Sequence, residues 1–110
     1  MFRVGKSEMV HPIKLMITET DIAQKFPAKA MFVVPKKNFR KAHDRNKLKR
    51  RMREAYRLNK EEVYTSANEQ NRKLLLSFIY IGKKACDFQA IETCIKQLNK
   101  KIEKTVLTKN

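Results

Sequence analysis

Two hydrophobic periods succeed one another along this chain. Near its start Ile13, Leu15 and Ile17 alternate with Lys14, Met16 and Thr18, the period of a strand with one buried face. Phe2 to Val10 is short and ambiguous, with Gly5 marking a turn. His11-Pro12 then interrupts, because proline removes a ladder donor and restricts the residue before it. Asp21 to Pro27 is polar and reads as a connection, whereas Ala28 to Val34 is β-prone and stops at Pro35. From Arg45 the spacing turns helical. At about 100° per residue, Leu48, Met52, Ala55 and Tyr56 fall on one narrow face. Asp44 stands where an N-cap carboxylate accepts backbone N–H bonds, and the helix is expected to run to about Tyr64. Thr65 to Asn71 reads as a polar connection. Leu74 to Gly82 is apolar and β-prone, as in a central strand covered on both faces. Asp87 then caps a last helix with Phe88, Ile91, Ile95, Leu98 and Ile102 at alternating three- and four-residue spacing, a core-facing stripe; Thr105 to Asn110 reads as a frayed end. The elements predict an α+β fold: a small, mostly antiparallel sheet with a βαβ crossover, in one domain spanning residues 1–110. The general crossover rule predicts a right-handed connection.

Charge changes the picture. The 110 residues carry a net +15, with 42% hydrophobic residues, enough for a folded domain with a modest core. Twelve of the cations lie between Lys36 and Lys60, opposed there only by Asp44 and Glu54. Arg45, Asn46, Lys49, Arg50, Arg53 and Arg57 fill a sector about 140° wide beside the apolar stripe, and Lys47 and Arg51 flank its other side. A solvated helix face normally interleaves acids at i,i+4 to offset self-repulsion. Here Glu54 is nearly alone, so the face predicts a polyanionic partner. No apolar run reaches the length of a membrane span, and no apolar segment follows Arg3 and Lys6 as a secretory leader requires. Cys86 and Cys94 form no zinc-type motif and read as reduced thiols of a cytoplasmic protein.

Protein-borne catalysis finds no support in the motifs. His11 lies beside a proline and His43 within a cationic loop; Glu61 and Glu62 are adjacent, so on a helix they diverge by about 100°. No HExxH, GxSxG or Gly-rich phosphate loop occurs. RNA suits the residue types: guanidinium forks match phosphate oxygens, Asn46 can serve a 2′-hydroxyl or a base edge, and Phe2, Phe32 and Phe39 offer stacking surfaces. A small basic ribosomal protein fits charge and size equally well. A major-groove DNA-binding helix would need short polar residues among the arginines, and a stand-alone nuclease would need the missing acid, base or metal ligands.

The segment Arg45-Asn46-Lys47-Leu48-Lys49-Arg50-Arg51-Met52-Arg53-Glu54 resembles the RNxxKRxxRE signature helix of the bacterial ribonuclease P protein subunit. Met31 to Lys37 is similar to the strand and basic pair that precede it in that family. Phe2-x-x-Gly5-Lys6 resembles the end of the family's first helix, so most of that helix is expected to be missing from this chain. Met31, Phe32 and Pro35 stand where family members usually carry Gly and Ser. The resemblance implies a ribosomal-protein-like α+β fold with a left-handed crossover, and a division of labour. The RNA subunit removes the 5′ leader from precursor tRNA with Mg²⁺ held through the RNA, and the protein binds no cofactor of its own. It implies RNase P RNA contact at Arg45, Asn46, Lys49, Arg50, Arg53 and Arg57. The leader would lie in a cleft between the sheet and the first helix, at Phe2, Met16, Lys36 and Lys37, although Met16 stands where an aromatic is common. The implied partners are RNase P RNA and precursor tRNA, with no membrane and no obligate protein partner.

Overall fold

In a computed structural model that describes residues 5–20 and 28–105, the alternating segment around Leu15 becomes an inner strand of a four-stranded sheet. Strand β1 (Lys6–Val10) turns at His11 and Pro12, which share a cis peptide bond, into β2 (Ile13–Glu19). Strand β3 (Ala28–Val33) and strand β4 (Leu74–Tyr80) complete the order β1-β2-β4-β3, with β3 and β4 parallel and the other pairs antiparallel. A parallel pair needs a crossover, here built of helices α1 (Ala42–Asn59) and α2 (Glu61–Glu69); helix α3 (Phe88–Thr105) follows β4. This is the expected α+β class, with a mostly antiparallel sheet and a βαβ unit. Phe2, the connection at residues 21–27 and residues 106–110 of the expected frayed end lie outside the described residues.

Register gives the sheet one apolar face. Ile13, Leu15 and Ile17 of β2 stand beside Tyr80, Phe78 and Leu76 of β4, and all six are at most 2% exposed. The three helices bury their stripes against that face: Leu48, Met52, Ala55 and Tyr56 from α1, Val63 and Ala67 from α2, and Ile91, Ile95, Leu98 and Ile102 from α3. Each large side chain so buried contributes about 1.5–3 kcal/mol relative to exposure. Asp87 caps α3 as expected, its Oδ1 accepting the Ala90 N–H at 2.9 Å, while Phe88 is only half-buried at the core's margin.

Three features depart from the sequence reading. Helix α1 begins three residues early, with extended Lys41 at the N-cap and no side-chain cap; its carbonyl accepts the Asp44 and Arg45 N–H groups. Asp44 sits instead within the first turn, where its charge favours the positive helix end. The basic helix also stops at Asn59 rather than Tyr64. The Asn59 carbonyl accepts the Asn99 side-chain amide of α3 at 2.9 Å, a tertiary bond at the point where α1 ends. A separate helix, α2, takes up Thr65 to Glu69, helped by the i,i+4 burial of Val63 and Ala67, and Asn71 ends it in the left-handed region at φ 54°. The third departure is β4, which is covered on one face: Leu75, Ser77 and Ile79 are half-buried on the other.

Candidate nucleic-acid interface

Helix α1 turns its apolar stripe to the core and so fixes where its cations point. Tyr56 packs edge-on against Phe32 at 5.9 Å between ring centroids and lies 5.4 Å from Phe78. Two of the cations that border the stripe, Arg45 and Arg51, are partly covered and fold the protein, while Lys47 is exposed. Arg45 is half-buried, its Nη1 donating to the carbonyls of Phe39 at 2.8 Å and Arg40 at 2.9 Å, which pins the loop before the helix. Arg51, on the other flank, donates to the Cys86 carbonyl. That bond draws the Gly82–Asp87 loop, with Lys83 and Lys84, against α1. Tyr80 holds the same loop from below, donating its hydroxyl proton to the Lys84 carbonyl and accepting the Cys86 N–H. Burial raises the Tyr80 hydroxyl above its ordinary range, which keeps it a donor there.

Away from the stripe the side chains point outward. Asn46, Arg50, Arg53 and Arg57 are exposed and Lys49 is half-buried. Arg53 lies over the Phe32 ring, 5.8 Å from its centroid, which sets the guanidinium plane while leaving its edge in solvent. Arg57 is bonded to Glu54, and the pair lowers the Glu54 carboxyl and raises the guanidinium from their ordinary values. Asn46, Lys49, Arg50, Arg53 and Arg57 thus share one surface. Arg45 adjoins it, but with part of its donor capacity spent on the loop.

The residues expected at the leader do not share that surface. Met16, 42% exposed, lies on the sheet face opposite the helices, between Ser7 and Ser77. Lys36 and Lys37 are exposed in the connection from β3 to α1, and Phe2 is outside the described residues. Met9, Met31 and Val33 join Met16 as exposed apolar side chains on the same open face. Sequence reasoning placed Met16 at the sheet by resemblance but did not find Met9, Met31 and Val33 beside it. The missed signal was the alternation in Ala28 to Val33, which puts Met31 and Val33 opposite Phe32. Cys86 and Cys94 are free thiols, as expected, and Cys94 donates to the Val10 carbonyl. No described helix is long and apolar enough to cross a membrane.

A sequence profile of ribonuclease P matches residues 1–105, nearly the whole chain. The chain belongs to the ribonuclease P protein family. Among curated ribonuclease P protein components, that of Chlorobium phaeobacteroides is 35% identical, the match covering 98% of this chain and 81% of the relative. That of Porphyromonas gingivalis is 29% identical over 88% of this chain and 71% of the relative. That of Chlorobaculum tepidum is 39% identical over 53% of this chain and 40% of its own length. No solved structure gives a significant match. The matched length includes both the outward sector of α1 and the open sheet face.

Proposed function

We propose that this chain acts in tRNA processing as the non-catalytic protein subunit of ribonuclease P. It binds RNase P RNA through α1 and holds the 5′ leader of precursor tRNA, while the RNA performs the hydrolysis with Mg²⁺ that the RNA itself holds. The observation that carries this reading is the outward surface of exposed Asn46, Arg50 and Arg53 with half-buried Lys49, set by a helix whose other face is locked in the core. Guanidinium groups there meet phosphates as forks, and each contact releases condensed counterions, so affinity arises without any chemistry by the protein. Arg45 serves the same surface by fixing the loop that carries Lys36 and Lys37. Those cations and Met16 on the sheet are the contacts proposed for the leader, whose repulsion from the RNA subunit they screen. The working compartment is the cytoplasm, where precursor tRNA is found and free thiols persist. Reconstitution with RNase P RNA at low Mg²⁺ tests the reading: addition of the protein restores leader removal. No gain over the RNA alone would overturn it.

A further inference from the structure

Helix α2 reverses the charge of the rest of the chain. Its nine residues, Glu61 to Glu69, hold three carboxylates and no cation, in a protein of net +15. Two cavities meet at Glu61 and Glu62, which are exposed and in no ion pair among the described residues. One, of about 380 Å³, is lined beyond them by Thr65, Ser66, Glu69 and Glu103. Its polar side chains are carboxylates and hydroxyls, and no cation lines it among the described residues. The other, of about 300 Å³, opens where the end of α1, the start of α2 and α3 converge, with exposed Leu58 as one wall and Asn99 buried at 5% exposure. The amide donors there are already used. Asn99 Nδ2 is bonded to the Asn59 carbonyl, and Asn59 Nδ2 to the Ala55 carbonyl and Glu92. Asn99 Oδ1 has no partner among the described residues. An acceptor buried without a donor is costly, so this cavity calls for a ligand that donates.

We propose that the two cavities together hold one linear polyamine, a chain of methylenes that carries spaced ammonium groups. One ammonium lies between Glu69 and Glu103, another meets Glu61 and Glu62, and a terminal one donates to Asn99 Oδ1, with the methylenes along Leu58. Length decides against a metal ion. From Glu62 to Glu69 the helix rises about 10 Å, and no three ligating side chains converge to hold a metal among the described residues. Acceptors strung out in this way suit a ligand whose charges are strung out as well. A nucleotide would turn its phosphate toward four carboxylates. A lysine-rich peptide shares the charge but not the bare methylene chain that Leu58 calls for. Lys96 and Lys100 also line the second cavity; both are exposed, so their ammonium groups stay in water while their stems pack. Bound there, the polyamine makes cationic a surface that otherwise repels RNA. The site stands apart from the ribonuclease P role, since the protein alone binds the ligand.

Isothermal titration calorimetry of the full chain with spermidine provides the test. One equivalent binds, and the midpoint of thermal denaturation rises with it. Glu62→Gln weakens binding by about fivefold, the loss of one charge pair about 4 Å apart in water. Lys96→Gln removes a like charge and tightens binding. Asn99→Leu keeps the volume, removes the buried acceptor and weakens binding. Glu62 and Lys96 are exposed, so their substitutions leave the fold intact even if Asn99→Leu does not. Equimolar Mg²⁺ leaves spermidine bound. The site is refuted if spermidine does not bind, if equimolar Mg²⁺ displaces it, or if trilysine binds more tightly. Unchanged affinity in Glu62→Gln, or in a folded Asn99→Leu, refutes it equally.

Discussion

Arg50→Ala isolates the electrostatic claim. Arg50 is exposed on the outward sector of α1 and has no protein partner among the described residues, whereas Arg57 on the same sector is held by Glu54. A cation that meets a phosphate contributes about 0.9 to the slope of log K against log salt. Arg50→Ala should therefore flatten the slope by about 0.9, so that raising salt from about 50 to about 200 mM costs ~3.5-fold less affinity than in the wild type. The structure adds a variant of opposite sign. Glu54→Gln frees the Arg57 guanidinium and should steepen the slope by up to about 0.9. Lys14→Ala provides the control: it removes one charge from the sheet face away from α1, so it lowers net charge without changing the slope. Filter binding or fluorescence anisotropy against RNase P RNA across a salt series gives all four slopes. Exposed substitutions of this kind alter stability by no more than about 0.5 kcal/mol, so folding does not confound them. An unchanged slope for Arg50→Ala, or an equal loss for Lys14→Ala, would show that binding follows net charge rather than this surface.

Gly82→Ala should destabilise by about 1–3 kcal/mol, read as a lower midpoint of thermal denaturation. A Cβ there would lie 2.8 Å from Pro12 Cβ and 3.2 Å from Tyr80 Cε1, while Ile81 and Gly82 both donate to the Pro12 carbonyl; an unchanged midpoint would mean the turn yields freely. Arg51→Met keeps the aliphatic stem but loses the charged bond to the Cys86 carbonyl, costing about 1.5–3 kcal/mol. Faster amide exchange at residues 83–87 would show the loop released, and wild-type exchange would refute the clamp. Burial pushes the Cys94 thiol from 9.0 up to about 11, so its stabilisation is intact below 9.0 and is lost as pH rises through 11. Urea midpoints of wild type should fall more steeply than those of Cys94→Ala between those values, and parallel curves would contradict the shift.

Local periodicity was enough for β2, α3 and the whole apolar stripe of α1, because each buries one face against the same core; β3 and β4 were legible as strands from their β-prone composition, although β4 read as covered on both faces. It was also enough for the cationic sector, since a helix with Leu48, Met52 and Tyr56 fixed inward leaves Arg50 and Arg53 no other direction. What stayed hidden depended on groups far apart in sequence. At the end of α1 the Asn59 carbonyl accepts a bond from Asn99, forty residues away. The division of the arginines into those that bind backbone carbonyls and those that point outward is set by which carbonyl lies nearby: Phe39 and Arg40 for Arg45, and Cys86 for Arg51. The open sheet face follows from register, which brings Met16, Ser77 and Met31 of three strands into one row. Sequence determines what each segment will bury by itself, because side-chain period is a local property. Tertiary structure alone decides which polar group satisfies which, because each backbone acceptor takes whichever donor the packing brings within reach.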